Sequence, residues 1–468
     1  MIPSQALEAL ANAVGPRWVK TDRAELHTFG CDGLPTHSSQ PGAVVIPGNR
    51  EEVLQTLRIL HHFEIPFVAR GAGTGLSGGA LASADAVLVV LTRLKRILLI
   101  DSENRRAVVE PGVVNVELTT AAEPFGLHYA PDPSSQTACT IGGNVAENAG
   151  GPHCLKYGVT SNHVLALEVA LPNGEVVNLG SPNGEPWGPD LVGLFVGSEG
   201  MFGIATSITV RLTPTPTAVR TLLADFSTLR AAGEAVTSVI ASGFVPAALE
   251  IMDRNSIAIV EASVYRAGYP TDADAVLLVE LDGMAEEAVA AEAEQVEELI
   301  TLAGARSVDS ASDPAKRERL WQGRKKAFGA LGRIGSDLVI QDAVVPRSRL
   351  PDVLERIGEI GEQYSLSICN VFHAGDGNLH PNISYDGSEA GLLDRVQRAS
   401  SDIMRVCIEA GGTITGEHGV GTDKLRYMPL IFSPDALGVM AGVRRVFDPL
   451  KLANPGKVLP AHSRREQR

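Results

Sequence analysis

Cysteine is sparse and scattered in this sequence. Its five cysteines, Cys31, Cys139, Cys154, Cys369 and Cys407, form no CxxC pair. That suits reduced thiols in a cytoplasm and leaves no iron–sulfur ligand set. Long apolar runs are missing too: no stretch reaches the ~20 residues that cross a bilayer. Met1 to Val19 has no basic segment followed by an apolar core, so no secretory signal is expected. Basic charge is outweighed, 40 Lys and Arg against 55 Asp and Glu, for a formal net charge of −15. Only the short tail Arg464-Arg465 stands out as basic, so a nucleic-acid partner is not expected.

Glycine, by contrast, is abundant: 48 in 468 residues. That length is too great for one ordinary core, and two domains are the natural reading. The densest glycine stretch is Arg70-Gly71-Ala72-Gly73-Thr74-Gly75-Leu76-Ser77-Gly78-Gly79. It follows the apolar run Ile65 to Ala69, which reads as a buried strand. A glycine turn lets the backbone approach a ligand closely and offers several N–H groups to a phosphate or pyrophosphate. Gly73 to Gly78 matches GxGxxG, but a dinucleotide fingerprint needs a helix directly behind it. Here the next regular segment is Ala86 to Leu91, a strand, and the gap is too short for a crossover helix. No Gly-Lys-Ser/Thr follows either, which excludes a P-loop.

Along the chain, Leu7, Leu10 and Val14 mark an amphipathic first helix. Ala43 to Ile46 reads as a strand, and Asn49 as the cap of a helix with Val53, Leu57 and Leu60 on one face. Two further glycine clusters follow, Thr140 to Gly151 and Gly197 to Gly203. Pro172-Asn173-Gly174 marks a hairpin. At Thr213-Pro214-Thr215-Pro216-Thr217 alternating proline favours a stiff linker, which sets a domain boundary. Beyond it, strand and helix signals alternate: helices over 228–241, 286–302, 314–330, 350–364 and 389–410, strands over 222–226, 276–281, 338–345, 367–372 and 380–385. This predicts an α+β second domain with a mixed or antiparallel sheet.

Chemistry-bearing residues gather in that second part. His373 and His380 lie either side of Ala374-Gly375-Asp376-Gly377-Asn378-Leu379, whose turns can fold both imidazoles towards one point. Glu417-His418 follows Gly416. Two histidines and a carboxylate can hold a divalent ion with open positions; polar loop residues beside a nucleotide are the alternative. A histidine next to such a ligand is a candidate general base. Arg324 and Lys325 follow Trp321 on the 314–330 helix, where an arginine can grip a carboxylate bidentately or simply face water.

Taken together, Cys31 to Leu34, Arg70 to Gly79, Pro131 to Ser135, Ile141 to Gly151, Gly197 to Gly203, His373 to His380, Gly416 to Gly419 and Asn454 to Lys457 resemble the flavoproteins of the vanillyl-alcohol oxidase/PCMH fold. Within them the likeness is strongest to the group of FAD-linked D-lactate, D-2-hydroxyglutarate and glycolate dehydrogenases, glycolate oxidase FAD subunits above all. The resemblance implies an α+β architecture: an N-terminal helix and connector over 1–36, a PCMH-type FAD-binding domain of two subdomains over 37–215, and an α+β cap over 216–468. It implies FAD, with Arg70, Gly71, Ala72, Gly73, Thr74, Gly75, Ser77 and Gly78 around the pyrophosphate. Pro131, Asp132, Ser134, Ser135, Gly142, Gly143, Asn148, Gly150 and Gly151 line the flavin. Glu199 and Ile204 border the adenine end, and Asn454 adds a further contact. The Gly73 to Gly79 loop has no histidine, so the FAD is expected to be non-covalent. His373, His380 and Glu417 match the family's divalent metal ligands (Zn, Mn or Fe), His418 its base, and Arg324 and Asn382 its substrate contacts. The D-2-hydroxyglutarate branch carries a lysine where this chain reads Leu338-Val339-Ile340-Gln341-Asp342, which favours a small 2-hydroxyacid, glycolate or D-lactate. The implied partners are an iron–sulfur subunit and a second flavin-fold subunit, in the cytoplasm or peripherally at the inner face of the membrane. A stand-alone D-lactate dehydrogenase and a non-catalytic flavin-carrying scaffold are the alternatives.

Overall fold

Asn49 caps the helix Arg50–His62, its side chain accepting from Glu52 N at 3.0 Å, and Val53, Leu57 and Leu60 are buried along one face. The strands flanking that helix, Ala43–Val45 and Phe67–Arg70, both run parallel to Val87–Val90, which lies between them; Val19–Lys20 adds an antiparallel edge. The chain from Phe67–Arg70 to Val87–Val90 carries no helix, as the spacing predicts, so the glycine stretch is no Rossmann turn. The computed structural model describes residues 2–34, 36–184, 188–333 and 335–460; Arg464-Arg465 lies outside them.

A second sheet is antiparallel and five-stranded, in the order Ile97–Asp101, Arg106–Val109, Ile204–Arg211, Val164–Ala170, Val176–Gly180. Its core takes in Leu118 of the helix Asn115–Ala122 and Ile141 and Val145 of the helix Ile141–Glu147. A separate core joins Leu10 and Val14 of the first helix, Ser4–Val14, to Val45, Leu57 and Phe67. Two cores make two subdomains. The Thr213 to Thr217 stretch is less free than alternating proline suggests: Thr213–Pro214 pairs with Leu127–His128.

The chain divides into two units. One holds the described parts of 1–150, 158–215 and 417–468; the other holds 151–157 and 216–416. The expected 216–468 domain is thus divided, because the chain rejoins the first unit at Glu417. Phe447, at the end of the helix Pro434–Phe447, stacks on Phe202 with ring centroids 4.7 Å apart. The backbone pairs there as well, Phe67 N with Leu452 O at 2.8 Å and Asn454 N with Phe67 O at 2.7 Å.

In the second unit nine strands form one antiparallel sheet. Its path runs Ala305–Ala311, Ala218–Phe226, Ala275–Gly283, Ala248–Asp253, Ile368–His373, Asn378–Leu379, Ala343–Val344; Pro381–Tyr385 also pairs with Ile368–His373 and carries Asp337–Ile340. The helices Leu229–Ala241, Glu286–Leu302, Leu350–Tyr364 and Leu392–Glu409 accompany it. The fold is α+β. Two local readings differ, and one strand was not foreseen. The expected helix 314–330 is two, Pro314–Lys325 and Ala327–Leu331. The expected strand 338–345 breaks at Gln341-Asp342, whose side chains are buried. Ala248–Asp253 is buried at every position, so it shows none of the alternation that reveals a half-exposed strand.

Candidate active site

In the first unit the glycine stretch is shaped by what packs against it. Gly73 has φ +75°, and a Cβ there would lie 2.2 Å from the Arg70 guanidinium, so only glycine lets Arg70 fold back along the loop. Arg70 also donates to Phe29 O at 3.3 Å. Gly33 N donates to Gly75 O at 2.9 Å, and Thr422 N to Ser77 O at 3.0 Å. A Cβ on Gly75 would meet nothing within 4 Å, so that face of the loop is open. Ser77 Oγ and Ser198 Oγ are buried with no hydrogen-bond partner among the described residues.

The second glycine cluster is a short helix rather than a bare wall. Thr140 caps Ile141–Glu147, its hydroxyl accepting from Gly143 N at 3.3 Å. A Cβ on Gly142 would lie 2.6 Å from Pro111 Cβ, so this glycine permits close packing. Asn148 ends the helix in the left-handed region, and its Oδ1 accepts from Ser161 N at 2.8 Å. Asn115, which sequence reasoning passed over, donates to both Pro131 O and Asn144 Oδ1 at 3.0 Å, tying the 131–135 turn to that helix. Ser134 is exposed on the turn, Ser135 half-buried and Pro131 buried. Gly150 stays in the first unit, whereas Gly151 opens the 151–157 excursion of the second.

The third cluster is a brace. Glu199, at φ +50°, accepts Val420 N at 2.6 Å and Gly421 N at 2.7 Å. Asn454 donates to the carbonyl oxygens of Gly79 and Glu199, and Lys457 to Leu81 O at 2.6 Å and Asn454 Oδ1. Glu199 and Asn454, expected beside the cofactor, thus also bond to backbone groups of the 420–421 segment and of the first and third glycine clusters. Ile204 is buried at the start of Ile204–Arg211. Burial lowers the Lys457 ammonium to about 8. Desolvation pushes the Glu147 acid well above the usual carboxylate range, and the Glu199 and Asp32 charges reinforce it.

In the second unit His373 and His380 do converge: their rings meet edge to face with centroids 5.2 Å apart. His373 Nδ1 is 2.7 Å from Glu250 Oε1, and His380 Nδ1 is 3.1 Å from the carbonyl oxygen of Gln341. A carbonyl or carboxylate oxygen can only accept, so each Nδ1 carries the proton and each Nε2 is the ring's lone-pair nitrogen. Arg324 is 2% exposed, not on a solvated face; its Nε donates to Glu250 Oε2 at 2.6 Å, and its Nη2 makes an ion pair with the same oxygen at 2.6 Å. Asn382 donates to Cys369 O at 3.1 Å and His380 O at 2.6 Å, and its Oδ1 is buried with no partner among the described residues.

Asp342 is fully buried and accepts from the Thr415 hydroxyl at 2.6 Å and Gly416 N at 3.0 Å. It anchors the segment that leads to Glu417 and His418. Those two open the return to the first unit, with Glu417 Oε1 3.8 Å from His418 Nε2. Glu250 and Asp342 were missed in the sequence. The available signal was a lone acid among apolar neighbours, Ala248-Leu249-Glu250-Ile251-Met252.

A glycine cradle without a Rossmann helix is thus joined in sequence to an antiparallel sheet that carries paired histidines. Residues 215–458 match the family of FAD linked oxidases, C-terminal domain, and residues 41–180 the FAD binding domain family. The chain belongs to the FAD-linked oxidases of the vanillyl-alcohol oxidase/PCMH fold. It is 48% identical over 436 residues to the glycolate oxidase subunit GlcD of Escherichia coli (strain K12), covering 93% of this chain and 87% of that protein. It is 34% identical to the D-lactate dehydrogenase of Anaerostipes hadrus, covering 90% of each. The solved structure of p-cresol methylhydroxylase with substrate bound shares the fold, with a TM-score of 0.82 at 18% identity over 97% of this chain and 96% of that one. The chain is an FAD-linked oxidoreductase, and the open face at Gly75 with the two buried serine hydroxyls fits such a cofactor. No described helix is long and apolar enough to cross a membrane.

Proposed function

We propose that this enzyme oxidises a small D-2-hydroxyacid, glycolate or D-lactate, to the 2-oxoacid. The observation that carries the reading is the histidine pair, each Nδ1 held by a fixed acceptor and each Nε2 thereby a lone-pair donor. The names of the glycolate oxidase and D-lactate dehydrogenase relatives support the same substrate class.

Arg70 to Gly75, Ser77 and Gly78 would hold the FAD pyrophosphate non-covalently through backbone N–H groups. The turn at Pro131, Asp132, Ser134 and Ser135 and the stretch Gly142, Gly143, Asn148, Gly150 and Gly151 would line the ring. Bound there, FAD supplies the two-electron acceptor for the C2 hydride. His373, His380 and Glu417 would hold a divalent ion, Zn, Mn or Fe, which lowers the pKa of a bound hydroxyl. His418 takes the hydroxyl proton as general base. Asn382, fixed by its two donated bonds, offers a buried amide oxygen to the substrate. Arg324, already paired with Glu250, would reach the substrate carboxylate through Nη1, the nitrogen outside that pair.

The electrons then leave to an iron–sulfur partner, with a second flavin-fold subunit in the assembly, in the cytoplasm or at the inner face of the membrane. The relative named as a subunit supports an assembly, and the scattered cysteines support an external iron–sulfur centre. The relative named D-lactate dehydrogenase supports a stand-alone alternative.

An anaerobic titration of the yellow protein with glycolate, D-lactate, L-lactate and D-2-hydroxyglutarate tests the reading. Glycolate or D-lactate should bleach the flavin and the other two should not. A flavin that none of the four reduces would sink it.

A further inference from the structure

We propose that Glu250 is the positioning residue of the histidine pair: one carboxylate oxygen sets the tautomer of His373 while the other neutralises Arg324. The proposal rests on the reading of His373 and His380 as metal ligands and goes beyond it by naming the group that makes His373 competent.

The three side chains are buried, Glu250 at 1%, Arg324 at 2% and His373 at 3% exposure. They come from three separate segments, the strands Ala248–Asp253 and Ile368–His373 and the helix Pro314–Lys325. Glu250 and His373 sit directly opposite one another in the sheet register, so the pairing is fixed by the backbone and not by a flexible loop. Each oxygen has its own duty: Oε1 meets His373 Nδ1 at 2.7 Å, and Oε2 meets Arg324 Nε and Nη2 at 2.6 Å.

Arg324 Nη2 also lies 3.5 Å from His373 Nδ1. Both atoms are donors when Nδ1 carries its proton, and the Glu250 carboxylate, in contact with each, offsets that approach. An imidazole whose Nδ1–H is given to a carboxylate presents a more basic Nε2 in a fixed orientation, and loss of such a partner costs about 10–100-fold in metal affinity. The same arrangement limits Arg324. With Nε bonded to Glu250 Oε2 and Nη2 in ion-pair contact with the same oxygen, Nη1 is the nitrogen outside the pair, so Arg324 cannot grip a substrate carboxylate with the Nε/Nη2 edge.

The test uses the full-length FAD-loaded protein and reads binding of Mn2+ or Zn2+ by isothermal titration and by metal content after desalting. Glu250→Gln alone leaves Arg324 without its counter-charge and can fail to fold, so the comparison is made with Arg324 replaced. E250Q/R324M keeps an acceptor for His373 Nδ1; E250L/R324M does not. Both lack the ion pair. The Leu double variant should bind metal about 10–100-fold more weakly than the Gln double variant, with equal FAD content and equal Tm in the absence of metal. Equal metal affinities in the two would overturn the role of Glu250. His373→Ala separates the underlying reading: if it binds metal as the unmodified protein does, or if the unmodified protein binds none, the metal site itself is wrong. Loss of metal in His373→Ala with equal affinities in the two double variants overturns the positioning role alone.

Discussion

The side-chain amide of Asn454 donates to the carbonyl oxygen of Gly79 at 3.3 Å. The two are far apart in sequence, and the bond ties the segment around Asn454 to the glycine loop that follows Phe67–Arg70. Asn454 also donates to Glu199 O and accepts from Lys457. One buried amide therefore ties together the first and third glycine clusters.

Asn454→Ala should loosen that loop without touching the cofactor directly. Leaving buried partners unpaired costs about 1–3 kcal/mol, so FAD retention should fall about tenfold or more. The ratio of flavin to protein absorbance after gel filtration measures this. A variant that keeps its full flavin complement would show that the loop holds its shape without the tether.

Glu147 gives a pH dependence with a definite direction. Desolvation and the neighbouring Glu199 and Asp32 charges raise its folded-state pKa well above the ordinary 4.5. Burial raises the Glu199 acid too, and the N–H groups of Val420 and Gly421 that donate to it oppose that rise. Between pH 4.5 and the raised value the folded chain binds more protons than the unfolded chain, so stability falls as pH rises through that window. Glu147→Gln stays neutral throughout. Its Tm should track the unmodified protein below about pH 4.5 and exceed it near pH 8. Parallel Tm curves over pH 4–8 would remove Glu147 as the source.

The parts legible in the sequence were those that break local rules. Glycine at Gly73 and Gly78 and the helix cap at Asn49 announce themselves because the backbone or the cap demands those residue types. The absent crossover helix before Val87 was legible from spacing. The histidine pair was legible because two turns separate His373 from His380. Illegible were the partners that arrive from elsewhere. Glu250 sits on a strand buried on both faces, and Asp342 at a break between two short strands. Neither leaves a periodic trace. The C-terminal return was hidden for the same reason: Phe447 on Phe202, and Asn454 on Gly79, are contacts between distant segments, and helical periodicity over 434–447 says nothing about which core the helix joins. Glu199 and Asn454 lie in glycine-rich stretches that the sequence marks, but their partners Val420 N, Gly421 N and Gly79 O come from distant segments and leave no local trace.

Arg324 and Glu250 form a fully buried ion pair. Removing one partner strands the other, which costs about 3–5 kcal/mol. Arg324→Met alone should therefore lower the denaturation midpoint sharply, and replacement of both residues by apolar ones of similar size should recover much of the loss. A purely substrate-binding arginine would behave otherwise: its loss would raise KM and leave the midpoint in place. Urea unfolding of the single and double variants, followed by steady-state kinetics on those that fold, tells the two apart.

His418 follows Glu417 directly, with its side chain 13% exposed. As the proposed general base it would take the hydroxyl proton in step with the departure of the C2 hydride, and such a group contributes about 10²–10⁴-fold to rate. His418→Ala should thus keep its FAD and its visible spectrum, bind the 2-hydroxyacid, and bleach more slowly by that factor under anaerobic stopped flow. His418→Ala bleaching at the unmodified rate would exclude the residue as base. A variant that loses FAD along with activity would instead assign His418 to the architecture of the Glu417 to Gly421 segment, whose Val420 and Gly421 N–H groups already bind the Glu199 carboxylate.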